Sequence, residues 1–255
     1  MTEPDSTLAT ALADLRVDPP AELLDRIAAR WVQVSGPTGP LYVATTDEGI
    51  AFVRTGAAVH GTDAGFVAAF RERFRRPLLP ADKPPAGLLP ALRRGRATDL
   101  AFDLRGCTEF ERDVLRAAQR IPAGQVRPYG WIAHQIGRPK AVRAVGTALG
   151  HNPVPLLIPC HRVVRSDGDL GEYVFGRPVK ETLLAGEGTN LGELADLAGR
   201  GMHYVASDTT GIVCFPSCAA ARRITPGHRH EFRSIARAEQ AGYRTCQLCR
   251  PVGAA

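Results

Sequence analysis

The chain has 255 residues, of which 44 % are hydrophobic and 23 % charged, and its formal net charge is +6. These proportions are ordinary for a globular protein and leave room for one large domain or two to three small ones. Apart from Lys83, Lys140 and Lys180 the basic residues are arginines, which suit an anionic partner but also fit a biased genome composition. We see no secretory signal and no run of ~18 apolar residues, so we expect a cytoplasmic protein with no membrane partner.

Residues 1–105 predict a small α+β domain without a chemical constellation of its own. Apolar residues within 19–31, ending at Trp31, recur at helical spacing and predict a helix. Alternating runs over 41–44 and 50–53 flank a turn sequence and predict a hairpin. Three further predicted elements are a helix over 66–74, a proline-rich loop over 77–90 and a strand over 101–104.

Residues 106–190 predict a mainly helical domain. A helix is expected over 110–118, and two short helices over 131–136 and 140–149 surround the turn Gly137-Arg138-Pro139. This arrangement is typical of a helix-turn-helix, although helical pairs joined by glycine also occur without DNA binding. The second short helix is rich in small residues, which allow close approach either to another helix or to a nucleic-acid groove. Since it has few polar side chains to contact bases, DNA binding would be largely independent of sequence.

Cys160 follows a buried apolar run and is the strongest candidate nucleophile. A thiol with an ordinary pKa of about 8.5 needs help to ionise, and His161 is the nearest base. Adjacent residues do not face each other, so His161 would act through a bridging water, oriented by Glu187 or Glu181. The residues alone also fit a buried structural thiol, or a Cys-His hydrolase that would need oxyanion donors and repeated turnover.

Residues 110–188 resemble the catalytic domain of the O6-alkylguanine-DNA alkyltransferases. The most specific part of the resemblance is the run Pro159-Cys160-His161-Arg162-Val163-Val164. The other matching pieces are Phe110 to Leu115, Ile121-Pro122-Ala123-Gly124, Tyr129, Ala141-Val142-Arg143-Ala144-Val145-Gly146, Asn152-Pro153, Gly171-Glu172-Tyr173 and Val179-Lys180-Glu181.

The resemblance implies a role for each matching residue in a suicide reaction. Cys160 would accept the alkyl group, and no cofactor would be needed because a thioether is not hydrolysed. The other implied catalytic residues are His161 and Glu187 for proton removal, Asn152 as a brace, and Tyr129 for protonation of the departing purine.

The same resemblance implies a DNA-binding face and a base pocket. Arg143 would fill the stack while the guanine is flipped out. The other implied DNA-binding residues are Ala141, Ala144, Gly146 and Arg162, and the implied pocket residues are Val163, Tyr173 and Val174. Val174 and Phe175 are bulkier than the residues of some relatives, so we expect methyl to be removed faster than benzyl. The expected partner is double-stranded DNA that contains O6-alkylguanine, bound by a monomer.

After a polar linker, residues 203–255 predict a small zinc module. Cys214 and Cys218, together with Cys246 and Cys249, have the spacing of a tetrahedral site for one zinc ion. The module resembles the metal-binding domain of the Ada proteins, in which the residue that corresponds to Cys214 accepts a methyl group from phosphotriesters. A purely structural zinc site is an equal alternative, and a methylation-responsive DNA-binding regulator is the alternative for the whole chain. The predicted fold class is therefore α+β: a small N-terminal α+β domain, a mainly helical catalytic domain with a helix-turn-helix, and a small C-terminal zinc module.

Overall fold

A computed structural model describes residues 27–253. Its first part is a four-stranded sheet of order β3-β2-β1-β4, in which β1, β2 and β3 are antiparallel and β4 runs parallel to β1. The strands are β1 (Ala29–Gly36), β2 (Gly39–Thr46), β3 (Gly49–Thr55) and β4 (Leu78–Pro80). The hairpin predicted from the alternating runs is confirmed.

One aromatic cluster holds the first helix against this sheet. Helix α1 (Asp63–Phe74) begins after Thr62, whose side chain accepts a hydrogen bond from the Gly65 N–H. Phe66 stacks on Tyr42 and Phe52, with ring centroids 5.2 and 5.6 Å apart. The predicted helix is confirmed and starts three residues earlier, because the Thr62 cap supplies an acceptor for a free backbone donor.

Three predictions for this part are corrected. Trp31 lies in strand β1, not in a helix, while residues 19–26 of that predicted helix lie outside the described residues. The stretch 77–90 contains β4 and the start of helix α2 (Leu88–Arg94), not only loop. The expected strand over 101–104 is reduced to a single bridge between Phe102 and Ile50.

The central part of the chain is helical and confirms the predicted helix-turn-helix elements. Its helices are α3 (Glu109–Gln119), α4 (Tyr129–Gln135), α5 (Val142–Gly150) and α6 (Arg177–Gly186). A capping box between Thr108 and Glu111 begins α3. Two short parallel strands, β5 (Arg127–Pro128) and β6 (Val163–Val164), connect the segment before α4 to the segment after Cys160.

The C-terminal part is a second four-stranded sheet, of order β10-β8-β7-β9. Its strands are β7 (Tyr204–Ser207), β8 (Ile212–Cys214), β9 (Arg229–Phe232) and β10 (Arg244–Thr245), with helix α8 (Ile235–Gln240) before β10. The predicted linker before this sheet contains helix α7 (Leu191–Gly199). Across residues 27–253, no helix combines the length and apolarity needed to cross a membrane.

Candidate active site and metal centre

The loop between α5 and the 3-10 turn Cys160–Arg162 is closed by Asn152. This buried side chain accepts a hydrogen bond from the Val154 N–H (2.9 Å) and donates to the Ile158 carbonyl (3.0 Å) and to Cys160 Sγ (3.2 Å). From the N-terminal sheet, the Val53 N–H donates to the Pro153 carbonyl (2.9 Å). The sulfur is therefore positioned by its own loop and by the first sheet.

Burial decides the protonation state of Cys160. Its side chain is 6 % exposed. Burial raises the pKa of the Cys160 thiol, against the opposing effects of the Asn152 hydrogen bond and the charge of Lys180. At neutral pH the group is a thiol, so nucleophilic attack requires a base.

His161 has the geometry of that base. Its Nε2 lies 2.9 Å from Glu187 Oε1, and its Nδ1 is buried with no hydrogen-bond partner. Burial lowers the pKa of His161, although Glu187 acts in the opposite direction. A neutral ring that donates from Nε2 to the carboxylate leaves a lone pair on Nδ1 to accept a proton. Of the two candidate carboxylates, Glu181 instead pairs with Arg177 at the surface (3.1 Å).

Arg162 requires a correction. The family resemblance implied a role in DNA binding, but Arg162 is 3 % exposed and all its donors are directed inward. Its guanidinium donates to both Glu187 oxygens, at distances down to 2.6 Å, and to the carbonyls of Ile121 (2.7 Å) and Gly95 (2.5 Å). Arg162 therefore holds the carboxylate that orients His161 and is not available to DNA.

Two tyrosines flank the site. Tyr129 is the first residue of α4 and is half-buried; desolvation, followed by the charge of Cys160, raises the pKa of its hydroxyl. Tyr173 packs edge-on to His161, with centroids 6.0 Å apart, and its buried hydroxyl has no partner. Both hydroxyls keep their protons at neutral pH and can donate.

Of the other two predicted pocket residues, Val174 has a side chain that is 40 % exposed, whereas Val163 is fully buried and can offer only its backbone.

Lys180 is a site residue that the sequence reasoning did not single out. Its fully buried ammonium donates to the carbonyls of Val163 (2.6 Å) and Leu170 (2.5 Å), and burial lowers its pKa to about 8. It thereby fixes the segment between Cys160 and Tyr173. Two signals were available: Lys180 belongs to the matching piece Val179-Lys180-Glu181, and it is one of three lysines in a chain whose other basic residues are arginines.

The helix α5 exposes the residues predicted to face DNA. Arg143 and Ala144 are exposed, and Ala141 and Gly146 are half-buried. Arg143 and Tyr129 also line a cavity of about 480 Å³ beside the C-terminal part of the chain.

The four C-terminal cysteines form a compact, buried cluster. The Sγ atoms of Cys214, Cys218, Cys246 and Cys249 all lie within 4.8 Å of one another, and none forms a disulfide. Tetrahedral zinc with Zn–S bonds of about 2.3 Å requires sulfurs about 3.8 Å apart, so the cluster fits zinc. Hydrogen bonding with Cys218, followed by hydrogen bonding with Cys249 and by burial, raises the pKa of the Cys214 thiol, so its thiolate form needs a cation beside it.

Comparisons with known proteins match two segments of the chain to known families. Residues 109–189 match the family described as 6-O-methylguanine DNA methyltransferase, DNA binding domain, and residues 195–252 match the metal binding domain of Ada. A methylated-DNA--protein-cysteine methyltransferase of Mycolicibacterium paratuberculosis is 55 % identical over 87 residues, which are 34 % of this chain and 52 % of that protein. The bifunctional transcriptional activator/DNA repair enzyme Ada of Escherichia coli is 34 % identical over 65 % of this chain and 47 % of its own length. The chain thus spans about half the length of these curated relatives.

The structural comparison covers a whole relative. The crystal structure of Mycobacterium tuberculosis OGT in complex with DNA has 34 % sequence identity and a TM-score of 0.51, over 66 % of this chain and 98 % of that one. The chain therefore belongs to the O6-alkylguanine-DNA alkyltransferase family and has an Ada-like metal-binding module at its C-terminal side.

Proposed function

We propose that this protein repairs DNA by moving the alkyl group of O6-alkylguanine onto Cys160 Sγ, once per molecule. The observation that carries the proposal is the buried sulfur held by Asn152 beside His161, whose Nε2 is bound to Glu187 and whose Nδ1 is free to accept a proton. The names of the curated relatives, which are protein-cysteine methyltransferases acting on methylated DNA, support it.

The proposed reaction is a single displacement at carbon. The Cys160 thiol passes its proton to His161 Nδ1 through a water molecule, and the thiolate attacks the carbon attached to O6. A carbon–sulfur bond forms, the carbon–oxygen bond breaks, and guanine leaves with a proton that Tyr129 helps to supply. The carbonyls of Cys160 and Val163 accept from the exocyclic amine of guanine; the Val163 carbonyl has a second lone pair beside its bond from Lys180.

Intact-mass spectrometry tests the reaction directly. After incubation with a duplex containing O6-methylguanine, the protein should gain the mass of one methyl replacing hydrogen, located on Cys160. The Cys160→Ala variant should gain nothing, whereas Cys107→Ala, which removes another buried thiol, should gain the same mass as the wild type. Continued release of product beyond one equivalent would instead support a hydrolase.

We further propose that the duplex lies against α5 with little sequence preference and that the repairing species is a monomer. The small exposed residues of α5 allow close approach, and Arg143 fills the gap left by the flipped base. The cytoplasmic location expected in the sequence analysis stays a prediction.

Substrate strandedness tests the role of Arg143. Arg143→Ala should slow transfer from duplex roughly tenfold or more, since unstacking costs a few kcal/mol, but should change transfer from a single strand much less. Arg138→Ala, which removes another arginine of the helix-turn-helix, serves as the control. An equal loss on both substrates would contradict a role in base flipping.

For the four cysteines we propose one zinc ion with a structural role. The Cys214 sulfur belongs to a side chain only 1 % exposed, which disfavours attack on a phosphotriester. Labelled methyl from phosphotriester DNA should therefore not appear on a Cys160→Ala protein. Its appearance on Cys214 would establish the second acceptor.

A further inference from the structure

Arg127 is a buried cation in β5. Its side chain is 2 % exposed and lies against the rings of Trp131 and Phe215, with its guanidinium carbon 5.8 and 5.3 Å from their centroids. It donates to the Val126 carbonyl (2.7 Å) and to Gln125 Oε1 (2.5 Å), and its Nε has no partner. Within residues 27–253, no carboxylate forms an ion pair with Arg127.

A buried guanidinium without a carboxylate is costly unless another anion compensates it. Burial lowers the pKa of Arg127, and the charges that act in the opposite direction are those of the four clustered cysteines. Four thiolates around one Zn²⁺ carry a net charge of about −2. The cluster is therefore the source of negative charge that Arg127 otherwise lacks.

The segment around Arg127 also contacts the cysteine-bearing turns directly. Ser217 Oγ, between the first two cysteines, bonds both the N–H (2.9 Å) and the carbonyl (3.1 Å) of Val126. Trp131 Nε1 donates to the Cys249 carbonyl (2.9 Å). These contacts hold the guanidinium and the cluster in a fixed arrangement.

We infer that Arg127 is the counter-ion of the four-cysteine metal centre, supplied to the C-terminal module by the alkyltransferase part of the chain. The inference rests on the proposed zinc site. It also links the metal centre to the alkyl-acceptor segment, because β5 pairs with β6 immediately after the turn that contains Cys160: Arg127 is in register with Val163. The metal centre therefore stabilises a strand that supports the alkyl-acceptor segment.

The test measures the metal centre in the full chain, loaded with Co²⁺ for spectroscopy or with Zn²⁺ for release. Removing the cation makes the thiolates better electron donors, so Arg127→Met should move the sulfur-to-cobalt charge-transfer bands to longer wavelength. It should also release zinc to a coloured chelator about tenfold faster or more, given the strength of unscreened charge interactions. Arg127→Lys, which keeps the charge, should leave the bands near their wild-type position.

Arg222→Met is the matched control. Arg222 also joins the two parts of the chain, through the Gly124 carbonyl (2.5 Å), and it donates within its own module to the Ser217 carbonyl (3.2 Å), but it is exposed. Its loss should not move the bands.

Unshifted bands together with wild-type zinc release in Arg127→Met would overturn the inference. If Arg127→Met does not fold, shifted bands in Arg127→Lys would overturn it and unshifted bands would support it. A wild-type protein that binds neither metal would refute the zinc site itself.

Discussion

Glu187 is the residue on which both basic side chains of the Cys160–Arg162 turn converge. Its hydrogen bonds to His161 and Arg162 outweigh its burial and lower the pKa of the carboxyl to about 2. Because the folded-state pKa is below the ordinary value, the ionised form stabilises the protein above about pH 4.5, and this contribution is lost as the pH falls towards 2. We expect Glu187→Gln to reduce the free energy of unfolding by about 3 kcal/mol at pH 7, with the difference shrinking through that window.

Urea unfolding at several pH values measures this difference. Glu181→Gln is the control, since Glu181 forms an exposed ion pair with Arg177 and such pairs contribute little. A stability difference between wild type and Glu187→Gln that stayed constant down to pH 2 would mean that ionisation of the Glu187 carboxylate does not cause it.

At the same scale, we expect Phe175 to limit the size of the group that the site accepts. Its ring packs edge-on to Tyr173, with centroids 5.5 Å apart. We expect the wild type to remove methyl faster than benzyl, and Phe175→Ala to raise the benzyl rate severalfold without a matching gain for methyl. The resemblance placed Val174 beside Phe175 in the pocket, but its side chain is 40 % exposed and does not supply the expected bulk. Val174→Ala should therefore change neither rate. Competition between the two lesions in one oligonucleotide measures the ratio, and a ratio near one in the wild type would contradict the steric argument.

Among the elements, the turn that follows α3 contacts the site at Glu187. Gly124 has a φ of +72°, its N–H donates to Glu187 Oε2 (3.1 Å), and a Cβ on it would lie 2.5 Å from the Glu187 carbonyl oxygen. We expect Gly124→Ala to cost about 3 kcal/mol of stability and to slow alkyl transfer, because both the left-handed backbone and Glu187 must be displaced.

Gly137→Ala separates these two causes. Gly137 has a φ of +70°, but a Cβ there would meet nothing within 4 Å. The control should therefore cost about 1 kcal/mol from conformation alone and leave transfer unchanged. Thermal unfolding and single-turnover rates check both variants; equal losses would remove the steric part of the argument.

Local patterns explain which elements could be predicted from the sequence. Helices α1 and α3 and the β2–β3 hairpin have clear periodicity and their own caps or turns, so the sequence was sufficient to predict them. Trp31 fits helical spacing as well as a strand, and only pairing with β2 and with the distant β4 decides between them. Strand β4 contains Pro80 and has no local signal of its own.

Within the site the same distinction holds. Residues of one short motif, such as Cys160 and His161, could be found from the sequence. The roles of Arg162, Lys180 and Arg127 could not, because each depends on partners brought close only by folding. In a sequence, a buried basic residue cannot be distinguished from an exposed one until the carbonyls, rings or carboxylates around it are known.

At the scale of the whole molecule, the alkyl-acceptor segment is held from both sides. The N-terminal part reaches it through Val53 on Pro153 and through the Gly95 carbonyl on Arg162. The C-terminal module contacts β5 through Ser217, and β5 pairs with β6, which follows the Cys160 turn. We therefore expect loss of metal to change the environment of residues outside the module, in the helix-turn-helix that begins with α4.

Trp131 reports this coupling, since it lies in α4, is 5 % exposed and donates to the Cys249 carbonyl. In a Trp31→Phe protein, where Trp131 is the single tryptophan, chelation of zinc should unfold the module, expose the indole to water and shift its emission to longer wavelength. Restoring zinc should reverse the shift. Trp131→Phe provides the control, because the remaining Trp31 packs on Tyr42 and Phe66 in the first sheet and should not respond. Emission from Trp131 that stayed unchanged after complete zinc loss would mean that the contact with Cys249 survives without the metal, and that the two parts of the chain are held together by packing alone.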